Sequence, residues 1–148
     1  MAIHKIDGVD GDANFPKKFV TLYCTGAVTK GDWVQIETDS GVTGYAENGL
    51  GASVTKADAV ANGNMAVIGV ATATKTAAGN LQIQTAGKFV DASVANAVAA
   101  GDALVVDDTS AGQAVKMANS DLPGPCGLAL EAPSGNLGDV LIIDQGYF

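Results

Sequence analysis

The sequence predicts an all-β fold: a small β-barrel or sandwich of short meander strands with glycine turns, at most one or two short helices, and an extended N-terminal arm. The 148 residues include 19 glycines, only 16% are charged, and none is arginine. Long helices would need more Leu, Glu, Lys and Arg. In addition, Leu81, Gln82, Ile83 and Gln84 alternate apolar with polar residues, which is typical of a strand with one buried and one wet face.

The N-terminal region differs from the rest of the chain in composition. Residues 1–18 are polar, rich in Gly and Asp, and carry isolated apolar side chains at Ile3, Ile6 and Phe15. A chain of this length suits one domain. We therefore expect an arm over residues 1–18 and a single β domain over residues 19–148.

Short strands follow one another along the β domain. The first is predicted at Phe19–Cys24, which is β-branched and aromatic. Glycine followed by Asp or Asn then marks four strand entries, since glycine supplies positive φ and the polar side chain caps its own backbone. These are Gly31-Asp32 before WVQI, Gly79-Asn80 before LQIQ, Gly101-Asp102 before ALVV, and Gly138-Asp139 before VLII.

The stretch Gly69–Val90 reads as a β-meander, with one turn ending at Gly79 and a second turn at Gly87. The best helix candidate is Ser93–Ala100, where Ser93 would cap the helix and Gly101 would stop it. Two further predictions are a weaker helix at Val54–Ala61 and a long hairpin tip or loop over residues 39–53. Asp107 and Asp108 are expected in a hairpin turn.

The strand entries also recur in order along the chain. Gly69-Val70-Ala71 and Gly127-Leu128-Ala129 each precede a strand-opening glycine, so two related halves can be drawn at roughly 31–84 and 101–143. An internal duplication would fit a barrel or sandwich with pseudo-symmetric hairpins. Chance recurrence in a glycine-rich sequence is the other interpretation.

Charge and hydropathy exclude two classes of partner. The formal net charge is −8 and the pI is about 4.3, so the surface repels phosphate backbones and we expect no nucleic-acid partner. No segment approaches the eighteen apolar residues of a membrane span, and the N-terminus lacks a signal-length apolar run. We expect a soluble protein made in a cytoplasm. Cys24 and Cys126 lack CxxC spacing, which favours reduced thiols over a single bridge.

No catalytic, metal or cofactor signature emerges from the sequence. The only histidine, His4, lies in the predicted arm, which leaves a nucleophilic triad without a packed base. Asp7, Asp10 and Asp12 lack the spacing of an EF-hand calcium loop. We therefore predict a protein that is not an enzyme and has no cofactor and no metal site.

Four ordered motifs carry a resemblance to a known family. They are VTKGDWVQI (28–36), GVATATKTAAGNLQIQTAGKF (69–89), AAGDALVVD (99–107) and GLALEAPSGNLGDVLIID (127–144). In this order they resemble the capsid decoration, or cement, proteins of tailed bacteriophages. The resemblance covers about residues 28–144, and the long acidic N-terminal segment and the glycine-rich region at 39–53 are its less typical parts.

The resemblance implies a structural virion protein on the outer capsid surface. Such a protein binds the major capsid protein, stabilises the expanded head, and often forms a homotrimer. It would be synthesised in the cytoplasm of the bacterial host. Candidate contacts with the capsid or a neighbouring subunit are the apolar residues and the histidine of the arm, together with the terminal aromatics: Ile3, His4, Ile6, Phe15, Tyr147 and Phe148.

A second class of function stays open at this point. A virion-surface carbohydrate-binding or adhesive β-domain would need exposed aromatic side chains beside convergent polar groups. Trp33 and Tyr45 are the residues that could supply such a platform.

Overall fold

Nine β-strands make up the described part of the chain. The computed structural model describes residues 16–37, 53–58, 67–106, 110–118 and 124–146, and every structural statement below refers to those residues. No helix occurs within them. The strands are β1 (Lys18–Cys24), β2 (Trp33–Ile36), β3 (Ser53–Lys56), β4 (Val67–Ala71), β5 (Gly79–Ser93), β6 (Ala103–Val106), β7 (Ala114–Lys116), β8 (Gly127–Ala129) and β9 (Leu137–Ile142). The all-β prediction is confirmed.

The first five strands close into a small barrel. Neighbouring strands follow the order β1-β3-β2-β4-β5, and the first half of β5 pairs back onto β1. Every pairing is antiparallel except β1 with β3, where Tyr23 lies opposite Ser53. Closure leaves the inward side chains buried. This first-barrel core consists of Leu22, Cys24, Val28, Val34, Val54, Ile68, Ala71, Leu81 and Ile83.

The second half of β5 begins another circuit of strands. It pairs with β9, which pairs with β8, then β6 and β7, all antiparallel. A parallel bridge between Val94 and Ala114 returns from β7 to the chain that leaves β5. We call this the second barrel. Its interior forms the other core, which also contains Trp33, Ala57, Val67 and Val70 from the outside of the first barrel. The two barrels therefore share both a strand and a packed junction.

The strand pairings of the first barrel are repeated in the second. Each pairing of the first barrel has a counterpart in the second, including the parallel contact that closes it. Corresponding residues are Val34 and Leu104, Lys56 and Lys116, Gly69 and Gly127, Ile83 and Val140, and Val54 and Ala114. Backbone bonds repeat as well: Gly31 N–H donates to the Ala71 carbonyl at 3.0 Å, and Gly101 N–H to the Ala129 carbonyl at 2.8 Å.

The repeated halves are wider than the sequence indicated. They run from β1 into the first half of β5, and from the second half of β5 to β9. The pairings mark this boundary, because Val20 lies opposite Ile83 as Phe89 lies opposite Val140, and Tyr23 lies opposite Asn80 as Ser93 lies opposite Leu137. The first barrel's opening strand is thus repeated by the second half of β5.

The predicted meander within Gly69–Val90 is wrong in its second turn. Instead of turning at Gly87, β5 continues for 15 residues from Gly79 to Ser93. Gly87 has a φ of 90°, so the chain bends locally without reversing. Gln84, predicted on the wet face, is 4% exposed, and its Nε2 donates to the carbonyls of Ala86 (3.0 Å) and Lys88 (2.8 Å). These bonds satisfy a buried amide at the point where the strand passes between barrels.

Both helix predictions are also wrong where the structure describes them. Ser93 ends β5, Val94 is buried in the parallel bridge, and Ala95 N–H donates to the Ala114 carbonyl at 2.8 Å. Residues 53–56 form β3 in place of the start of the second helix, and residues 59–66 lie outside the described chain. Pairing with a neighbouring strand outweighs weak local helix propensity in such short segments.

The glycine strand entries divide into two kinds. Gly31 (φ 96°) and Gly101 (φ 89°) adopt the expected left-handed backbone. Gly138 does not; it lies within β9, where a Cβ would approach Pro133 to 3.2 Å. Gly79, which opens β5, is not among the glycines with positive φ either. The loop predicted at 39–53 and the turn at Asp107-Asp108 fall almost wholly outside the described residues, as does most of the arm.

Candidate interaction surfaces

The junction between the barrels is centred on Trp33. Its side chain is fully buried, and its Nε1 donates to the Ser93 carbonyl at 3.1 Å. Backbone bonds tie the same region together, since Trp33 N–H donates to Gly112 (2.9 Å) and Gly112 N–H to Ala57 (2.7 Å). A Cβ on Gly127 would lie 2.7 Å from Trp33 Cη2. The junction is therefore a close-packed contact, and Trp33 is not the exposed platform that carbohydrate binding would require.

An Asp–Lys pair fixes the corresponding end of each barrel. In the first barrel, Asp32 Oδ2 accepts from the Thr29 N–H at 2.8 Å and lies 3.0 Å from Lys56 Nζ. In the second, Asp102 Oδ2 accepts from the Ala99 N–H at 2.9 Å, and its Oδ1 lies 3.0 Å from Lys116 Nζ. Each carboxylate holds the tight turn before a strand and anchors the strand beside it.

These bonds affect the acidity of the second carboxylate. The bond from the Ala99 N–H, followed by that from Lys116, lowers the pKa of Asp102 below its usual value. Asp144 behaves alike: the Lys18 ammonium at 2.6 Å, and then the Gly146 N–H, lower its pKa. We interpret the carboxylates of Asp102 and Asp144 as structural, because the partners described for them belong to the same chain.

The lysines of the described chain are largely engaged within it. Lys18, Lys56, Lys88 and Lys116 each form an ion pair with an aspartate. Among the described residues, no group of three or more His, Cys, Asp or Glu side chains could hold a metal ion. Within those same residues, no helix is long and apolar enough to cross a membrane.

Both thiols are free and buried, which confirms the interpretation of two reduced cysteines. Cys24 lies in the first-barrel core and Cys126 in the second, so the fold separates them. Burial raises the pKa of Cys126 to about 12, which keeps the thiol protonated at neutral pH. Neither cysteine has the exposed, electropositive setting of a reactive thiol.

The exposed apolar side chains were not predicted as contact residues. They lie on β1, on β5, and along β8 and β9: Phe19 (51% exposed), Val90 (56%), Leu130 (39%), Leu137 (44%) and Ile143 (38%). The alternation along LGDVLI predicts the outward positions of β9: Val140 and Ile142 point inward, so residues 137, 139 and 141 must point outward. Exposed large apolar side chains mark an interaction surface where they form a contiguous patch.

The contact residues that were predicted remain without a structural test. Ile3, His4, Ile6, Phe15, Tyr147 and Phe148 all lie outside the described residues, and so does Tyr45. The division into an arm at 1–18 and a β domain at 19–148 likewise stays a prediction. β1 begins at Lys18, next to that boundary.

Comparison with known proteins identifies a fold relationship. No protein-family model matches the chain, and no curated protein does. Among solved structures, the chain is similar to the N base of the head fiber protein gp8.5 of bacteriophage phi29, with a TM-score of 0.52 and 17% sequence identity. The match covers 86% of this chain and 94% of that one. The two-barrel chain therefore shares its fold with the base of a phage head fiber.

Proposed function

We propose that this chain is a structural protein of a bacteriophage virion that binds the outer surface of the major capsid lattice and stabilises the expanded head. The observation that carries the proposal is the fold likeness to a phage head fiber base over 86% of the chain. The ordered motifs that resemble decoration proteins support it independently. We further propose that the protein acts as a homo-oligomer, with a trimer favoured, and that it has no enzymatic role.

The described geometry supports a scaffold function. The first barrel is closed, the second packs against it through the buried Trp33, and the Asp–Lys pairs of both are used internally. Its outer walls carry partly exposed apolar residues, which can gain burial against another protein. Many such copies, each spanning adjacent capsid subunits, would add burial across seams that internal DNA pressure pulls apart.

The arm has a separate proposed role. A Gly/Asp-rich segment that carries Ile3, Ile6 and Phe15 can bind the capsid through these apolar side chains, at an entropic cost met at binding. Deleting residues 1–14 should leave the far-UV circular dichroism spectrum of the domain unchanged and weaken capsid attachment. Loss of folding on this truncation would contradict the arm assignment.

Co-sedimentation with expanded, empty capsids tests the function directly. We expect the purified chain to pellet with expanded capsids of its phage in saturable, lattice-defined stoichiometry, and to raise the temperature at which they break. Unexpanded proheads serve as the control, since binding to the expanded lattice should be stronger. A folded protein that fails to pellet with expanded capsids would refute the proposal.

A further inference from the structure

The internal repeat identifies a face of the second barrel that is partly exposed, whereas the equivalent face of the first barrel is buried beneath the second barrel. Across the outer wall of the first barrel, Trp33 lies opposite Val70, and Val70 opposite Gln84. These three side chains are 0%, 0% and 4% exposed, because the second barrel packs over this side. Ala57, Val67 and Ala86 adjoin them, and they are buried too.

The second barrel carries an equivalent row. Ala103 lies opposite Leu128, and Leu128 opposite Leu141. The positions that adjoin them in the repeat are Met117, Pro125 and Ile143. All six side chains are apolar and partly exposed; Ile143 reaches 38%. We call these six residues the open face: Ala103, Met117, Pro125, Leu128, Leu141 and Ile143.

The repeat also shows where the open face stops. Leu130 corresponds to Thr72, since each donates its N–H to the facing strand, at Asp139 and Gln82 respectively. Leu137 corresponds to Asn80, because Leu137 pairs with Ser93 as Asn80 pairs with Tyr23. The second barrel leaves Asn80 exposed and Thr72 incompletely covered. Leu130 and Leu137 therefore lie beyond the edge, although both are at least as exposed as Ile143.

We infer that the open face binds the first barrel of a second copy of this chain, head to tail, extending the contact that already joins the two barrels. Within one chain, the second barrel brings the Ser93 carbonyl to Trp33. The residue equivalent to Ser93 in the first barrel is Tyr23 on β1, which is partly exposed beside exposed Thr21. The first barrel of another copy can thus offer the open face a related wall, against which Ala103 would stand in the place of Trp33. This inference specifies the self-association included in the proposed function.

The chemistry of the open face favours such a partner. Its members are uncharged, and the nearby Lys88 is neutralised by Asp139 at 3.1 Å. A protein with a net charge of −8 repels its own copies at long range, so contact between them needs an apolar, uncharged patch. Head-to-tail contacts use two different surfaces, and they close into rings or extend as filaments.

Two matched double variants test the inference. Leu141→Lys with Ile143→Lys places two charges on the open face, and Leu130→Lys with Leu137→Lys places two charges beyond its edge. Sedimentation velocity should give the wild type a mass above that of one chain. The open-face variant should associate at least about a hundredfold more weakly, because lysines would be buried without partners. The control variant should retain the wild-type mass, and circular dichroism should show that both are folded.

A mixing experiment tests the head-to-tail arrangement. Thr21→Lys with Tyr23→Lys should block the opposite surface and give a second monomeric variant. Mixed with the open-face variant, it should yield a complex of two chains and nothing larger, since one intact surface of each kind remains. A monomeric wild type, unchanged association of the open-face variant, or failure of the mixture to form this complex would each overturn the inference.

Capsid co-sedimentation of the wild type, compared with its mass in solution, separates this inference from the proposed function. If the wild type is a monomer and still pellets with expanded capsids, the self-association inference fails and the capsid role stands. If the wild type associates through the open face but does not pellet, the inference stands and the capsid role fails.

Discussion

Replacing Gly127 by alanine would place a methyl group against the only tryptophan of the chain. A Cβ at this position would lie 2.7 Å from Trp33 Cη2 and 3.1 Å from the Leu141 carbonyl oxygen. The first separation is far inside van der Waals contact, and Trp33 is fully buried in a close-packed interior, so the ring or the strand must shift. Overpacking of this kind costs about 1–3 kcal/mol. We expect Gly127→Ala to lower the free energy of unfolding by about 2–3 kcal/mol.

A second substitution isolates the contact with the ring. Trp33→Phe removes the two ring atoms that a methyl at Gly127 would meet, and also the Nε1 bond to the Ser93 carbonyl, but it leaves the contact with the Leu141 carbonyl oxygen. Alone, it should cost about 2 kcal/mol or more through lost volume and an unpaired carbonyl. In the double variant the methyl occupies part of the vacated space. The double variant should therefore lose less stability than the sum of the two singles, by about 1 kcal/mol or more.

Urea unfolding at 25 °C should be followed by far-UV circular dichroism for the wild type, the two single variants and the double variant. Tryptophan fluorescence is unsuitable because two of these four proteins lack Trp33. Gly26→Ala is the matched control, because no atom lies within 4 Å of a Cβ there. It should change stability by less than about 0.5 kcal/mol. Additive losses, within about 0.3–0.5 kcal/mol, would refute the claim that Gly127 is required by the tryptophan.

Three further predictions concern other parts of the barrels. Gly69→Ala should destabilise more than Gly127→Ala in the same assay, because its Cβ would collide with the Gln84 carbonyl oxygen of the paired strand; stability like that of Gly26→Ala would contradict this. Asp102→Asn should lower the free energy of unfolding at pH 7. Because the pKa of Asp102 is lowered in the folded protein, its carboxylate stabilises the fold above the unfolded pKa of about 4, and this contribution is lost as the pH falls through the folded pKa. A difference between the two proteins that stays the same from pH 7 to pH 2 would contradict this. The buried Cys126 should not react with a disulfide reagent at pH 8 until urea unfolds the protein, and rapid labelling of the native state would contradict its burial.

Several strands could be predicted from sequence because their local pattern is sufficient. Phe19–Cys24 and WVQI combine β-branched and aromatic residues with a glycine turn, and both are strands. The short strands β3 and β7 escaped prediction, since neither follows a Gly-Asp or Gly-Asn entry and their pairing partners are distant in sequence. The helix predicted at Ser93–Ala100 failed for the same reason: Ala114, far along the chain, determines its conformation.

The candidate surface could be predicted only in part. Alternation in β9 indicates that Leu141 points away from the barrel interior, as alternation in β5 does for Gln84. Which of these outer positions is buried depends on where the second barrel packs, and the local sequence pattern does not predict that position. The sequence-based candidates at the two termini were chosen from composition, and they remain predictions.

The sequence by itself determined an all-β chain, its glycine-marked strand entries and an ordered repeat, because these follow from side-chain periodicity and backbone freedom over a few residues. Only the tertiary structure decided that the two halves share β5 and pack through Trp33. Packing also reversed the expectation from hydropathy: the polar Gln84 is buried and its Nε2 donates two hydrogen bonds, whereas its apolar counterpart Leu141 is partly exposed. The physical reason is that burial depends on what lies opposite a residue in space, which its neighbours in sequence do not specify.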